Sequence, residues 1–544
     1  MRIRIKHVLL GVILGVGAWA LAPPRIEQRG DTARITSAGA ETTATKPAGS
    51  SASKPASPGS GTRKVTIRFA PKYFYMPGSI PMGVGEPVQG LTRVAQRYEA
   101  LHPDVHIEYI AVPSAREWLV TQCAAGLAPD IVDVNVEEVW GDTHKGWYVA
   151  LDDYLDRPNP YAAPGQPGST RWSDLIKYPA ISESARAPDG RMYCIVYDMV
   201  ETGIYYNKNI FRKVGVEPPR DWPDFLEIHK KLNAAGYIPM LASASAMADW
   251  ATDLFFDQLY AGILPGIDVE PEAESLKAFR DGYLNWNEIA FLYKRGFFTR
   301  KDPRWVNLWR LIKEWRQFMP KDISDKLTDV IKLFLTQKGA MLWDGSWRVH
   351  ALIHDPTLEF EWGIFYLPQM PKSVSPYANG HPQVVIGGPG TQFVVTNSAI
   401  ADTGSTATSE RLRHCIDYLQ FMTMPENAAT VVNEIPAFMP NTKGAEPHEA
   451  LRPFDNFLKR HSSISKWQFT FDMKFNEVMN RMLELYLNNG ISEQDYLELM
   501  ERSIESGAAN LIRRQKPAFA PLEKRWNELA PLRASMEGLP PNAK

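Results

Sequence analysis

Cysteine is scarce. Three residues in 544, Cys123, Cys194 and Cys415, lie far apart and match no metal-ligand or redox spacing. In an exported protein an odd number permits at most one bridge, so the plain reading is buried free thiols. A basic excess is also missing. Sixty Lys and Arg face 62 Asp and Glu, a formal net charge of −2, which provides no field for nucleic acid. The apolar run at the amino terminus, Val8 to Ala22, has fifteen residues, whereas a full membrane span needs about 20. No Gly-x-Ser-x-Gly elbow occurs, and "HEALR" at His448 has Arg452 where a His-Glu-x-x-His zinc motif needs its second His. No internal repeat is visible.

What is present starts with an export signature. Arg2, Arg4 and Lys6 precede the apolar run, and Ala20-Leu21-Ala22 resembles a cleavage site. Pro23 is a poor neighbour for cleavage, so residues 1–22 are expected to be a signal peptide or a retained anchor with its amino end inside. Without a cysteine near residue 22, a lipoprotein anchor is not supported. Residues 23–62 form a Ser-, Thr-, Ala- and Pro-rich stretch too poor in large apolar groups to offset its ordering entropy. It reads as a tether, with folded structure starting near Lys64.

Beyond it, strand and helix patterns alternate. "KVTIRFA" alternates apolar and polar residues, and Val88, Leu91, Val94, Tyr98 and Leu101 follow at helical spacing. "VHIEYIAV" alternates again. A helix then runs to Gly126, which suits a left-handed cap, and Pro129 prevents its continuation before the apolar run from Ile131. This βαβαβ opening argues for a mostly parallel sheet covered by helices. Further along, Asn207, Gly215, Asp221 and Gly236 punctuate a strand and two helices, with Asp221 as an N-cap. Trp305, Leu308, Trp309 and Ile312 share one helix face and read as core. Ser346 is expected to cap a helix after the strand Ala340 to Trp343, and helices are expected around Leu412 to Phe421, Phe475 to Leu487 and Tyr496 to Leu511.

The ordered pieces "YEALHPDVHIEYI", "AAGLAPDIVDVN", "GIYYNKNIFRKVGVEPPRDWPDFLEIHKKLNAAGYIP", "QKGAMLWDGSW" and "FYLPQMP" resemble the extracellular solute-binding proteins of ABC importers, the maltose- and multiple-sugar-binding group. The resemblance spans about residues 64–515. It implies an α/β, two-lobed periplasmic-binding-protein-like fold with hinge strands and a ligand cleft between the lobes. Crossings are expected near 197–202, 344–347 and 397–403, making lobe one 64–198 plus 347–398 and lobe two 199–346 plus 399–530. It further implies an oligosaccharide ligand, with glycerol phosphates, uronates and other polar solutes as the alternatives, no cofactor, ABC transporter permease subunits as partners, a monomer, and a periplasmic or extracytoplasmic location.

In open α/β sheets ligands bind beyond the carboxyl ends of the strands, so Asn135, Glu137 and Glu138 after the strand at Ile131 become candidates. By the resemblance, Glu137 matches the family's acidic cleft residue, Trp347 after "WDGS" an aromatic on the hinge side, and Trp250 one on lobe two. Asp344 and Phe438 complete the set. Asp221-Trp222 replaces the family's Thr-Trp, which makes Trp222 structural, and Asn433 stands where a rim Gly is common. The cluster Gly387-Gly388-Pro389-Gly390 suits either backbone contact with a ligand or a plain loop. Two rival functions share these residues. An exported glycan hydrolase needs two facing carboxylates, for which Glu137, Glu138, Asp249 and Asp344 are candidates. A sensor's binding component would suit a retained anchor.

Overall fold

Val65, Ile67 and Phe69 are buried while Thr66 and Arg68 point outward, the period-two pattern that makes β1 (Val65–Ala70) a half-covered strand. In this computed structural model the described residues are 65–112, 116–187, 189–248, 250–270, 284, 286–320, 327–378, 380, 385–401, 403–454, 462–463, 473–514 and 516–543. The expected leader (1–22) and tether (23–62) lie outside them.

β1 pairs in parallel with β2 (Val105–Tyr109) on one side and β3 (Ile131–Asp133) on the other, with Val65 opposite Val105 and Phe69 opposite Ile131. The crossovers are α1 (Gly90–Leu101) and α2 (Arg116–Ala125). α1 buries Leu91, Val94 and Tyr98 at the expected spacing. Leu101 is 60% exposed instead, because the helix ends there and the chain turns through His102-Pro103. Gly126 adopts φ +69 after α2, and Leu127 N donates to Gln122 O, the expected left-handed helix stop.

β4 (Cys194–Asn207) is the long strand that joins the two halves of the molecule. Its first part pairs with β8 (Val385–Val395), which also pairs antiparallel with β3. Its last part lies between β6 (Gly339–Gly345) and β7 (Trp362–Phe365), and β5 (Ile238–Leu241) adds to β6 in parallel. Local punctuation follows expectation in this half. The Asn207 side chain accepts from Ile210 N, Gly215 is left-handed, and Asp221 accepts from Asp224 N. Trp222, Trp305 and Trp315 are fully buried, as core residues should be.

Two apolar cores result. The first contains Phe69, Tyr98, Ile131, Tyr197 and Phe393; the second contains Phe225, Phe255, Trp305 and Trp343. The packing departs from the expected lobe boundaries in several places, and Val330, Phe334 and Leu342, grouped with lobe two, join the first core. Phe365, Leu367 and Met370, grouped with lobe one, join the second core because β7 pairs with the far end of β4. Leu412, Ile416 and Leu419 on the helix Glu410–Met422, grouped with lobe two, join the first core, where Tyr418 packs on Phe69 and Tyr98. Residues 397–400 likewise stay with the first core, Asn397 N donating to Trp147 O. The return to the second core falls between Phe454 and the helix Met473–Leu487. The cause is the apolar stripe of Glu410–Met422: it covers the first sheet, a pairing that local sequence does not encode.

Candidate functional site

β3 ends at Asp133, and Asn135 begins α3 (Val136–Asp142) at the carboxyl edge of the parallel strands. Asn135 is exposed and makes no capping bond with its side chain. Glu137 lies in the first turn of α3, and its side chain falls outside the described residues. Glu138 is half-buried, 3.6 Å from Arg116 Nη1. The same guanidinium contacts buried Asp142, which also accepts from Lys145 at 2.9 Å and Tyr148 at 3.0 Å. This ion cluster fastens α3 to α2.

Trp347 and Trp250 come together. Their ring centroids are 6.0 Å apart at 57°, and Trp250 also meets buried Trp343 edge-on at 5.5 Å. Neither Trp250 nor Trp347 is fully buried. Trp347 packs against the first core and Trp250 against the second, so the pair straddles the boundary between them. Two local devices place Trp347. A Cβ on Gly345 would stand 2.3 Å from its indole, so only glycine admits the ring there. Ser346 is not the expected helix cap: its N–H donates to Glu201 O and its hydroxyl to Ala437 O, each at 2.8 Å. Trp347 itself takes the cap position before the helix Arg348–His354.

Two candidates have other work, which corrects their assignment as ligand contacts. Asp344 is buried, accepting from Gly345 N at 2.8 Å and Arg348 Nε at 2.7 Å. Its lone pairs serve a buried ion pair rather than an open cleft. Phe438 is 2% exposed, edge-on to Phe74 at 5.0 Å and 5.8 Å from the Tyr75 ring. Gly387 to Pro389 are not a loop; they pair with Met199 to Glu201 as strand.

A buried polar group beneath Phe438 escaped sequence reasoning. Tyr75 donates to Asp198 on β4 at 2.7 Å, Asp133 accepts from Gln392 N at 3.0 Å, and Lys72 Nζ donates to Gly390 O while standing 5.8 Å above the Phe438 ring. Burial raises the Asp198 carboxyl to about 7, against the pull of Lys72 and Tyr75. Burial also raises Asp133, again opposed by Lys72. The signal was available in "KYFY", residues 72–75, directly after β1 at the ligand end of a parallel strand. Trp140 and Trp286 were missed as well. Their rings meet edge-on at 5.9 Å, and Trp286 packs against both cores. Among the described residues no helix is long and apolar enough to cross a membrane. All three cysteines are free, with Cys194 and Cys415 buried.

Comparison with known proteins gives this geometry a context. The model of the bacterial extracellular solute-binding proteins matches residues 85–427, more than half of the chain. A multiple sugar-binding protein of Streptococcus mutans is 20% identical over 288 residues, 51% of this chain and 59% of that protein. The melibiose/raffinose/stachyose-binding protein MelE of Bacillus subtilis is 21% identical over 204 residues, 37% of this chain and 42% of its own length. The chain thus spans about half the length of these relatives. Among solved structures, ligand-free RafE from Streptococcus pneumoniae superposes with a TM-score of 0.54 at 18% identity, covering 82% of this chain and 99% of that one. At that identity the likeness establishes the two-lobed fold.

Proposed function

This chain belongs to the bacterial extracellular solute-binding protein family, and on that premise we propose that it holds an oligosaccharide between its lobes and delivers it to the permease subunits of an ABC importer. The Trp250–Trp347 pair carries the reading: two half-buried indoles, one leaning on each core, face each other where the lobes meet. Flat apolar rings of this kind cover sugar faces, and full burial of one contributes on the order of 1.5–3 kcal/mol. Asn135 and Glu137, beyond β3, supply polar groups for hydroxyls. The ligands named for the relatives, raffinose and stachyose among them, support the class.

The ligand works as a clamp. It shifts an open–closed equilibrium only through contacts made better in the closed form, so a sugar touching both indoles favours closure. The protein acts outside the cytoplasm, as a monomer, after export by its amino-terminal segment. A glycan hydrolase is disfavoured because Asp344 and Glu138 are engaged with Arg348 and Arg116. Release of reducing sugar from glycans on prolonged incubation would reverse that judgement. Adjacent genes for a histidine kinase rather than permeases would turn the reading to a sensor.

Trp347→Ala tests the site by titration calorimetry with raffinose and stachyose. Affinity falls about tenfold or more, equivalent to about 1.4 kcal/mol, and the melting temperature of ligand-free protein changes little. Loss of stability with unchanged affinity would make Trp347 a core residue and overturn the assignment.

A further inference from the structure

At the amino end of the parallel strands, opposite the edge that carries Asn135, the turn His102-Pro103-Asp104 leads from α1 into β2. Facing it is the helix Glu410–Met422, whose Glu410, His414 and Asp417 recur at i, i+4 and i+7 and therefore share one face. The ligand atoms of His102, His414 and Asp417 lie within 4.8 Å of one another, as do those of Asp104, Glu410 and His414. We propose that His102, His414 and Asp417 bind a divalent transition-metal ion of the Zn2+ type, in a site separate from the sugar cleft.

The donor set is imidazole plus carboxylate, which suits zinc and its neighbours. His102 Nε2 and Asp417 Oδ2 are 3.4 Å apart. Two ligands of a tetrahedral zinc, each about 2.0–2.1 Å from the ion, are separated by about 3.4 Å. Asp417 Oδ2 accepts from Tyr98 and Tyr161 at 2.8 Å each, and the Tyr161 hydroxyl is also 2.8 Å from His102 Nε2, so it gives way when the ion takes these two ligand atoms. His414 is buried, so its ring is held in place on the helix face that meets His102 and Asp417. Arg413 opposes a cation here, with Nη2 2.8 Å from His414 Nε2. It is an exposed side chain already 3.7 Å from Glu410 Oε1, and it turns to that carboxylate when the ion enters. The bound ion then ties α1 to the helix Glu410–Met422 across the surface of the first core.

The test uses the full chain freed of metal by chelator, titrated with ZnCl2 by calorimetry and followed by melting temperature. One ion binds per chain and the melting temperature rises. His102→Gln, at a half-buried position, weakens zinc binding at least about tenfold and leaves the metal-free melting temperature and raffinose affinity unchanged. Arg413→Ala tightens zinc binding, a response that a purely structural hydrogen-bond network would not give. Absence of binding to the wild-type chain, or equal affinity in wild type and His102→Gln, overturns the proposal.

Discussion

Asp198 is fully buried on β4, one oxygen held by Tyr75 and its charge faced by Lys72 and Asp133. Burial raises its pKa to about 7, whereas an unfolded Asp titrates near 3.9. Between about pH 4 and about pH 7 the native state therefore holds a proton that the unfolded state has lost, so this residue's contribution to stability declines as pH rises through that window. Asp198→Asn removes the dependence. Chemical denaturation midpoints of wild type and variant, compared at about pH 4.5 and pH 7.5, should show the variant gaining on the wild type as pH rises. A constant difference would mean that Asp198 is ionised throughout. Nothing adjacent in sequence marks Asp198 for this role, because Tyr75, Asp133 and Lys72 reach it only when β1, β3 and β4 assemble.

The end of β6 and the start of the helix Arg348–His354 form one unit through Asp344 and Arg348, both nearly inaccessible. Asp344→Ala leaves a buried guanidinium without its carboxylate, which costs about 3–5 kcal/mol. The expected result is a large drop in melting temperature, with ligand affinity retained in the fraction that folds. Intact stability with lost affinity would restore Asp344 to the cleft. Element boundaries were legible wherever the determinant is local: Asn207, Gly215 and Asp221 each act within four residues of themselves. Ser346 was misread because its hydroxyl's partner, Ala437, is 91 positions away.

At the scale of the molecule, Trp140 on α3 and Trp286 join the two halves edge-on, apart from the Trp250–Trp347 pair. Such a contact contributes about 0.5–1.5 kcal/mol beyond its burial, enough to shift an open–closed ratio several-fold. Trp286→Ala should enlarge the radius of gyration of ligand-free protein in solution scattering and speed ligand release. The ligand-saturated radius should stay the same. Identical scattering and release rates would show that the contact does not latch the lobes.

The α/β alternation and the parallel opening were determined by sequence alone, because apolar periodicity and turn chemistry act over a few residues. Trp347 and Trp250 were singled out as ligand contacts through family resemblance; that their rings meet is a tertiary finding, and Gly345 explains why the Trp347 indole fits. Tertiary structure alone decided that Glu410–Met422 covers the first core, that Phe438 is buried under Phe74, and that Asp344 belongs to Arg348. An apolar stripe states that it needs a partner without stating which, and a carboxylate does not reveal whether a cation will reach it first. Those choices are made by contacts between residues tens to hundreds of positions apart, and they exist only in the folded chain.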